Sequence, residues 1–403
     1  MMVNESRRSR AHFDLPLTIM VYSLAAFGIL AVAVATFSIN SEAEDTLLNY
    51  IVASYYGMRQ AIFFLVSPIV VGVITYAPYE LIRRHANKFY LLACLLLLIT
   101  LVSNQAQGVK AWTDIIWGYT IQPSEFVKLA CIIALAKYLE TNDNPMGDLK
   151  SVMRLGMLMG LPALLTLAQG EMGSVLVMAV IFIVMMFFGG IRGKLIAAFI
   201  VIAIIGIALL GALITVSGTD NYRIVRILSF IRPDLVDDGA TYQVNNSKIA
   251  IGSGGLTGVG TFVQGSFSQL DYVPEDWTDF IFSSIGEAFG FVGCALVVLA
   301  YLAIILRMLY LAMFTHNRFG QQCIIGVMAM MLFHVLENVG MTTGLMPVTG
   351  IPLPFLSYGG SNLLTNMLGI GLVLNVVRNR SITHISGYNP QISARGRYFR
   401  RGE

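Results

Sequence analysis

Three acids and a tryptophan crowd the stretch VPEDWTDFIFSSIG, from Val273 to Gly286, where a polar segment gives way to a hydrophobic run. Glu275, Asp276 and Asp279 all precede Phe280 to Leu306, which is almost wholly apolar. A carboxylate at such a junction meets water on one side and hydrocarbon on the other, and partial loss of hydration makes it a stronger base. Asp279 is the leading candidate for proton transfer, with Glu275 and Asp276 as loop residues shaping the mouth of its cavity. A second set, Gln122, Pro123, Ser124, Glu125 and Lys128, opens another apolar run. Pro123 suits a first helical turn, Ser124 a cap, and Glu125 the positive end of the helix dipole. Glu125 and Lys128 also share one helix face, and an ionisable pair at membrane depth must face protein or a wet cavity.

Other charged or irregular stretches carry weaker signals. Glu171, between Gly170 and Gly173, is a further buried-acid candidate, although its position alone favours a solvated turn between two helices. Arg223, Arg226 and Arg232 alternate with Ile224, Ile227 and Phe230, a basic amphipathic pattern able to hold a phosphate or lie on a bilayer. IGSGGLTGVG, from Ile251 to Gly260, lacks the flanking strand, crossover helix and Lys-Ser/Thr of a nucleotide loop, and flexible punctuation is expected there. PVTGIPLPFLSYGGS, from Pro347 to Ser361, cannot form one regular helix, and irregular backbone at membrane depth is buried in protein or lines a cavity. A cavity wall is expected. The five histidines are scattered, so no metal site is predicted; His334 reads as an interhelical hydrogen-bonding residue.

The elements that must position these groups are transmembrane helices. Residues are 56% hydrophobic and 12% charged, with a mean hydropathy of +0.72, which excludes a soluble domain. A net charge of +3 gives no case for nucleic acid binding. Cys94, Cys131, Cys294 and Cys323 lie in hydrophobic runs and read as packing residues. Spanning runs fall at Pro16 to Ile39, Arg59 to Glu80, Lys88 to Ser103, Pro123 to Glu140 and Met153 to Gln169. Five more lie at Met172 to Gly190, Lys194 to Val216, Phe280 to Arg307, Gln321 to Gly344 and Tyr358 to Val377. The expected fold is an all-α polytopic membrane protein of about ten helices. A re-entrant or broken pair is an option at Gly170 and Glu171, because the two flanking runs nearly touch.

Basic residues test the topology independently. Arg7, Arg83, Arg84, Lys88, Lys150, Arg154, Arg192, Lys194, Arg307, Arg318 and Arg378 fall on alternate connections, which are therefore expected on the cytoplasmic side. That gives a cytoplasmic segment over residues 1–15, a membrane domain over 16–380, and a basic cytoplasmic tail over 381–403. It also puts the loop at 217–279, and Asp279 with it, on the outer side.

QPSEFVK (Gln122 to Lys128), Tyr242 with Gln243, the Gly-rich run, PEDWTDFIF (Pro274 to Phe282) and PVTGIPLPFLSYGGS occur in this order. On these motifs the chain resembles the SEDS family of peptidoglycan polymerases, the RodA, FtsW and SpoVE type, over nearly its whole membrane portion. The resemblance implies polymerisation of lipid II into glycan strands on the outer face of the bacterial cytoplasmic membrane. It further implies a class B penicillin-binding protein as transpeptidase partner, held through transmembrane helices, and contact with membrane lipids. It assigns the catalytic carboxylate to Asp279 and substrate binding to Glu125, Lys128, Lys110 and Trp112. Arg223, Glu171, Trp277 and Ser357 complete the expected substrate-binding set. Five positions depart from the family pattern: Trp277 stands for a usual His, Gly170 and Glu171 for a Pro-Asp pair, Ala288 for an acid, and Ala111 for a polar residue.

In such a reaction a base deprotonates an acceptor sugar hydroxyl, and positive charge neutralises the departing polyprenyl diphosphate. Asp279 is the expected base; Lys128, Lys110 and Arg223 are the expected cations, with a divalent ion such as Mg or Mn as a further candidate. The competing reading is a lipid II transporter without glycosyl-transfer chemistry, and a third is a scaffold that recruits the transpeptidase.

Overall fold

A computed structural model describes residues 13–37, 47–102, 113–116, 119–142, 144–191, 193, 230 and 238–379. Their elements are α1 (Leu15–Ala35), α2 (Leu47–Ala53), α3 (Tyr55–Tyr76), α4 (Tyr79–Val102), β1 (Thr113–Ile116) and β2 (Tyr119–Ile121). Then come α5 (Pro123–Thr141), α6 (Leu149–Gln169), α7 (Met172–Phe188), α8 (Asp238–Ser253), α9 (Ile281–Met313), α10 (Arg318–Thr342) and α11 (Gly360–Asn379). Seven of the described helices, α1, α3, α4, α6, α9, α10 and α11, are long and apolar enough to cross a membrane, and α7 is a shorter apolar helix. The chain is therefore a helical, multi-pass membrane protein; among the described residues one short antiparallel hairpin, β1–β2, precedes α5. The expected span Lys194 to Val216, the residues at 217–237 and the tail over 381–403 lie outside the described residues, apart from residue 230.

Helix boundaries follow local chemistry. Asp14 caps α1 by accepting from Leu17 N at 3.0 Å, Ser54 caps α3 from Gly57 N at 2.9 Å, and Asn317 caps α10 from Gly320 N at 3.0 Å. The break between α3 and α4 falls at Ala77–Pro78, not near Glu80 as the charge pattern suggested. Proline cannot continue α3 and holds Ala77 extended, at φ −58° and ψ 143°. Arg83, Arg84 and Lys88 are consequently inside α4, where Arg83 pairs with Glu140 of α5 at 2.8 Å. At the α6–α7 junction there is no broken pair. Two complete helices meet at Gly170, whose φ of 103° reverses the chain.

α10 is the axis of the bundle, packing on α5, α7, α9 and α11. It and α11 are the most enclosed spans, whereas α3, α4 and α6 turn exposed leucines, valines and isoleucines outward. One end of the bundle is tied by Arg307 donating to Asp14 at 2.7 Å, Tyr79 donating to Asn317 at 2.7 Å, and Asn375 donating to Ala77 O at 2.7 Å. The described basic residues Arg83, Arg84, Arg307, Arg318 and Arg378 belong to this end. The acids and aromatics from Val273 to Asp279 belong to the other.

What reads as one long loop contains the polar helix α8, held by side-chain bonds to backbone. Gln243 donates to Pro274 O at 2.6 Å, Asn246 to Tyr272 O at 2.6 Å, and Ser247 to Thr342 O at 2.8 Å. The Gly-rich run that follows is not flexible punctuation. It docks backbone to backbone on a kink in α9 at Gly290, where φ is +64°. Val259 N donates to Glu287 O at 2.9 Å and Phe291 N to Gly255 O at 2.8 Å. A Cβ on Gly258, already at φ +84°, would overlap the Ala288 carbonyl.

Candidate active site

The segment Val273 to Phe280 enters α9 as a series of turns latched on three sides. Tyr358 N donates to Trp277 O at 2.9 Å. Trp277 stacks on Tyr56 of α3, with centroids 5.3 Å apart and planes at 17°, and Tyr56 meets Tyr358 edge-on at 4.9 Å. Asn338 of α10 donates at 2.7 Å to the main-chain oxygen of Asp279 and at 2.8 Å to Ile351 O. One amide thus fixes both the head of α9 and the irregular segment before α11. Asp279 itself is half-buried.

The two neighbouring acids differ from each other. Glu275 is exposed, but Asp276 is 2% exposed and accepts from Ser284 Oγ at 2.9 Å, so it is an internal tie and not part of a cavity mouth. Burial, reinforced by the nearby Asp271 and Glu287 carboxylates, pushes the Asp276 carboxyl well above the usual carboxylate range. A raised folded value means the neutral acid contributes stability fully below the unfolded value and loses it as pH rises. Asp276→Asn removes that titration. We expect its melting temperature in detergent, relative to the parent, to improve from about pH 5 to about pH 8; an unchanged difference would show that Asp276 does not titrate in this range.

Glu125 and Lys128, on α5, form a buried ion pair of 2.6 Å with side chains 3% and 1% exposed. Lys128 Nζ also lies 3.0 Å from His334 Nε2 on α10. The pair is held inside protein, as expected for ionisable groups at this depth. Glu125 Oε2 and His334 Nδ1 are buried without a hydrogen-bond partner. His334 and Asn338 are four residues apart, so the charge cluster and the Asp279 latch lie on one face of α10, about 6 Å apart along its axis. Glu337, between them in sequence, is 2% exposed and accepts from Thr349 Oγ1 at 2.7 Å.

Glu171 is brought to the same region: its Oε1 accepts from Gln122 Nε2 at 2.7 Å, and Oε2 is buried without a partner. It is a polar contact between the starts of α5 and α7, not a solvated turn. Ser357 is fully buried, and its Oγ accepts from Leu353 N at 2.7 Å, closing a turn. Leu353, Phe355 and Leu356 are equally enclosed, and Tyr301 donates to Pro354 O, so the middle of this irregular segment is a wedge between helices and not a cavity wall. Lys110, Trp112 and Arg223 lie outside the described residues. Among the described residues no group of three or more His, Cys, Asp or Glu is placed to hold a metal.

Sequence reasoning passed over Glu337 and Asn338 and understated His334. Their signal was present: three polar residues at helical spacing within an apolar span. Tyr56 carried none, since its role depends on α3 meeting Trp277 across more than two hundred residues of chain.

The chain matches the family of cell cycle proteins that includes FtsW, RodA and SpoVE over residues 15–382. It is 31% identical over 385 residues to the probable peptidoglycan glycosyltransferase FtsW of Trichlorobacter lovleyi, covering 94% of this chain and 96% of that one. It is 33% identical over 329 residues to stage V sporulation protein E of Bacillus subtilis, covering 80% and 87%. Among solved structures it resembles a chain described under the structural coordination of polymerization and crosslinking by a peptidoglycan synthase complex. The TM-score is 0.71 at 26% identity, over 91% of this chain and 98% of that one. The rod shape determining protein RodA of Thermus thermophilus is similar with a TM-score of 0.65 at 26% identity, over 91% and 97%. With the helical bundle and its latched carboxylate segment, a match of this extent means that the chain belongs to the FtsW, RodA and SpoVE family of cell cycle proteins.

Proposed function

We propose that this peptidoglycan glycosyltransferase polymerises lipid II with Asp279 as the general base. The observation that carries the reading is the Asn338 latch, which holds Asp279 at the head of α9 on the same α10 face that holds Lys128 through His334. Asp279 takes the proton from an acceptor sugar hydroxyl as that oxygen attacks the anomeric carbon of the donor. The donor's bond to oxygen breaks, polyprenyl diphosphate departs, and attack from the opposite face inverts the anomeric centre. Lys128, with Lys110 and Arg223, stabilises the charge that develops on the diphosphate. Glu171, Trp112 and Trp277 contribute to holding the substrate, while Glu125 fixes Lys128. Ser357 closes the turn leading into Tyr358, whose N–H holds Trp277 O. A divalent cation such as Mg or Mn, if carried in on the substrate diphosphate, would share with Lys128, Lys110 and Arg223 the neutralisation of its charge.

The gathering of Arg and Lys at one end of the bundle supports a cytoplasmic assignment for that end and an outer-face assignment for Asp279, in the bacterial cytoplasmic membrane. The exposed apolar faces of α3, α4 and α6 suit membrane lipid, and a class B penicillin-binding protein is the proposed crosslinking partner, docking through transmembrane helices. Purified protein with such a partner in proteoliposomes should convert lipid II into glycan ladders. Translocation of fluorescent lipid II without ladders would instead identify a transporter.

A further inference from the structure

We infer that the cavity beside Trp277 is a saccharide subsite that retains an N-acetylhexosamine unit of the glycan strand already made; this rests on the glycosyltransferase reading. The cavity, of about 350 Å³, opens between the end of α1, α2, the start of α3 and the segment running into Trp277. Its size falls at the lower end of small-molecule sites.

Its walls suit a sugar ring. Tyr50 stacks on Phe262 at 4.2 Å with planes 10° apart, and Phe37 meets both rings edge-on at 5.6 Å. Trp277, stacked on Tyr56, adds a further aromatic surface to the lining. A pyranose presents apolar C–H faces to such rings and hydroxyls at its edge, which require fixed polar partners.

Gln269 supplies one. It lines the cavity and is 7% exposed, and its Oε1 takes the Gly265 amide proton, which sets the orientation of the side-chain amide. Its Nε2 is then a buried donor without a partner. A buried unmet donor is costly, and a sugar hydroxyl or N-acetyl carbonyl oxygen satisfies it. Asp271, also in the lining, offers acceptor oxygens to hydroxyl donors.

Charge selects the strand over the monomer's lipid end. Among the described lining residues there is a carboxylate and neither Lys nor Arg, a poor setting for a diphosphate and a suitable one for neutral sugar. The position agrees: Trp277 borders the cavity, while two residues on the main chain of Asp279 is held on α10. A strand held here stays beside the base between additions.

The test uses the full chain with its class B partner in proteoliposomes, comparing the parent with Gln269→Met and Tyr50→Leu. Both variants should couple the first two lipid II units at the parental rate yet release strands shortened roughly fivefold, the loss expected from one removed hydrogen bond in Gln269→Met and of similar size for the lost ring contact in Tyr50→Leu. A tetramer of N-acetylglucosamine, free of lipid, serves as the binding probe. It should quench tryptophan fluorescence in the parent, not in Trp277→Phe, and bind Gln269→Met roughly fivefold more weakly. Parental strand lengths in both variants overturn the inference, as does equal probe binding by parent and Gln269→Met. A raised KM for lipid II with unchanged strand length overturns the strand assignment in favour of the monomer. Absence of polymer from the parent itself would defeat the glycosyltransferase reading, while the probe titration still judges the cavity alone.

Discussion

Asp279→Asn is expected to abolish glycan synthesis from lipid II while leaving the protein in the membrane at parental levels. The substitution keeps the size and shape of the side chain and leaves the main-chain oxygen that Asn338 holds at 2.7 Å. It also keeps the Trp277 to Tyr358 bond and the Asp276 to Ser284 tie, which fix the same segment from its other sides. What it removes is the ability to accept a proton from the attacking hydroxyl, a contribution of roughly 10²–10⁴-fold to such a reaction. The assay is ladder formation by reconstituted protein with its partner, normalised to membrane-inserted protein. Ladders at the parental rate would move the base to another group. Reduced insertion would reveal a structural task for the carboxylate.

Much of the bundle is legible in the sequence because lipid imposes a simple rule, about twenty apolar residues for each crossing. Nine of the ten expected spans overlap described helices, the second running past the α3–α4 break, and the tenth lies outside the described residues. The errors fall where hydropathy and local chemistry compete. Arg83, Arg84 and Lys88 look like a loop but continue α4, because Glu80 and Glu140 accept from Arg83 and the chain breaks earlier, at Pro78. α8 is polar along its length, so no apolar period announces it; its helix is held by Gln243, Asn246 and Ser247 bonding to distant backbone. Gly254 and Gly258 look like loop residues, and only the docking of their backbone on α9 before its kink at Gly290 reveals why a side chain is excluded there.

The site was legible at its charged residues and not at its neutral ones. Asp279, Glu125 and Lys128 stand out because charge next to hydrocarbon is costly and therefore rare. Asn338 and Gln269 have no such signature. Their importance is set by which backbone or cavity they face, and that depends on contacts between helices far apart in sequence. Asp276 misled for the complementary reason: an acid in a polar segment reads as solvated, whereas the fold buries it against Ser284.

Lys128→Met tests whether the buried pair is merely structural. The substitution leaves Glu125 as an uncompensated carboxylate in a site only 3% exposed, and breaking one partner of such a pair costs about 3–5 kcal/mol. A marked fall in melting temperature is expected, with His334 also losing its neighbour at 3.0 Å. Adding Glu125→Gln removes the stranded charge, and a neutral, well-filled replacement for a buried pair is often as stable as the original. The double variant should therefore recover the parental melting temperature. Its activity should not recover: if Lys128 stabilises the diphosphate in the transition state, glycan synthesis remains at least about tenfold down, since charged hydrogen-bonding groups contribute roughly 1.5–3 kcal/mol. Recovery of both stability and ladders in the double variant would assign the pair to the fold alone and leave the diphosphate to Lys110 and Arg223.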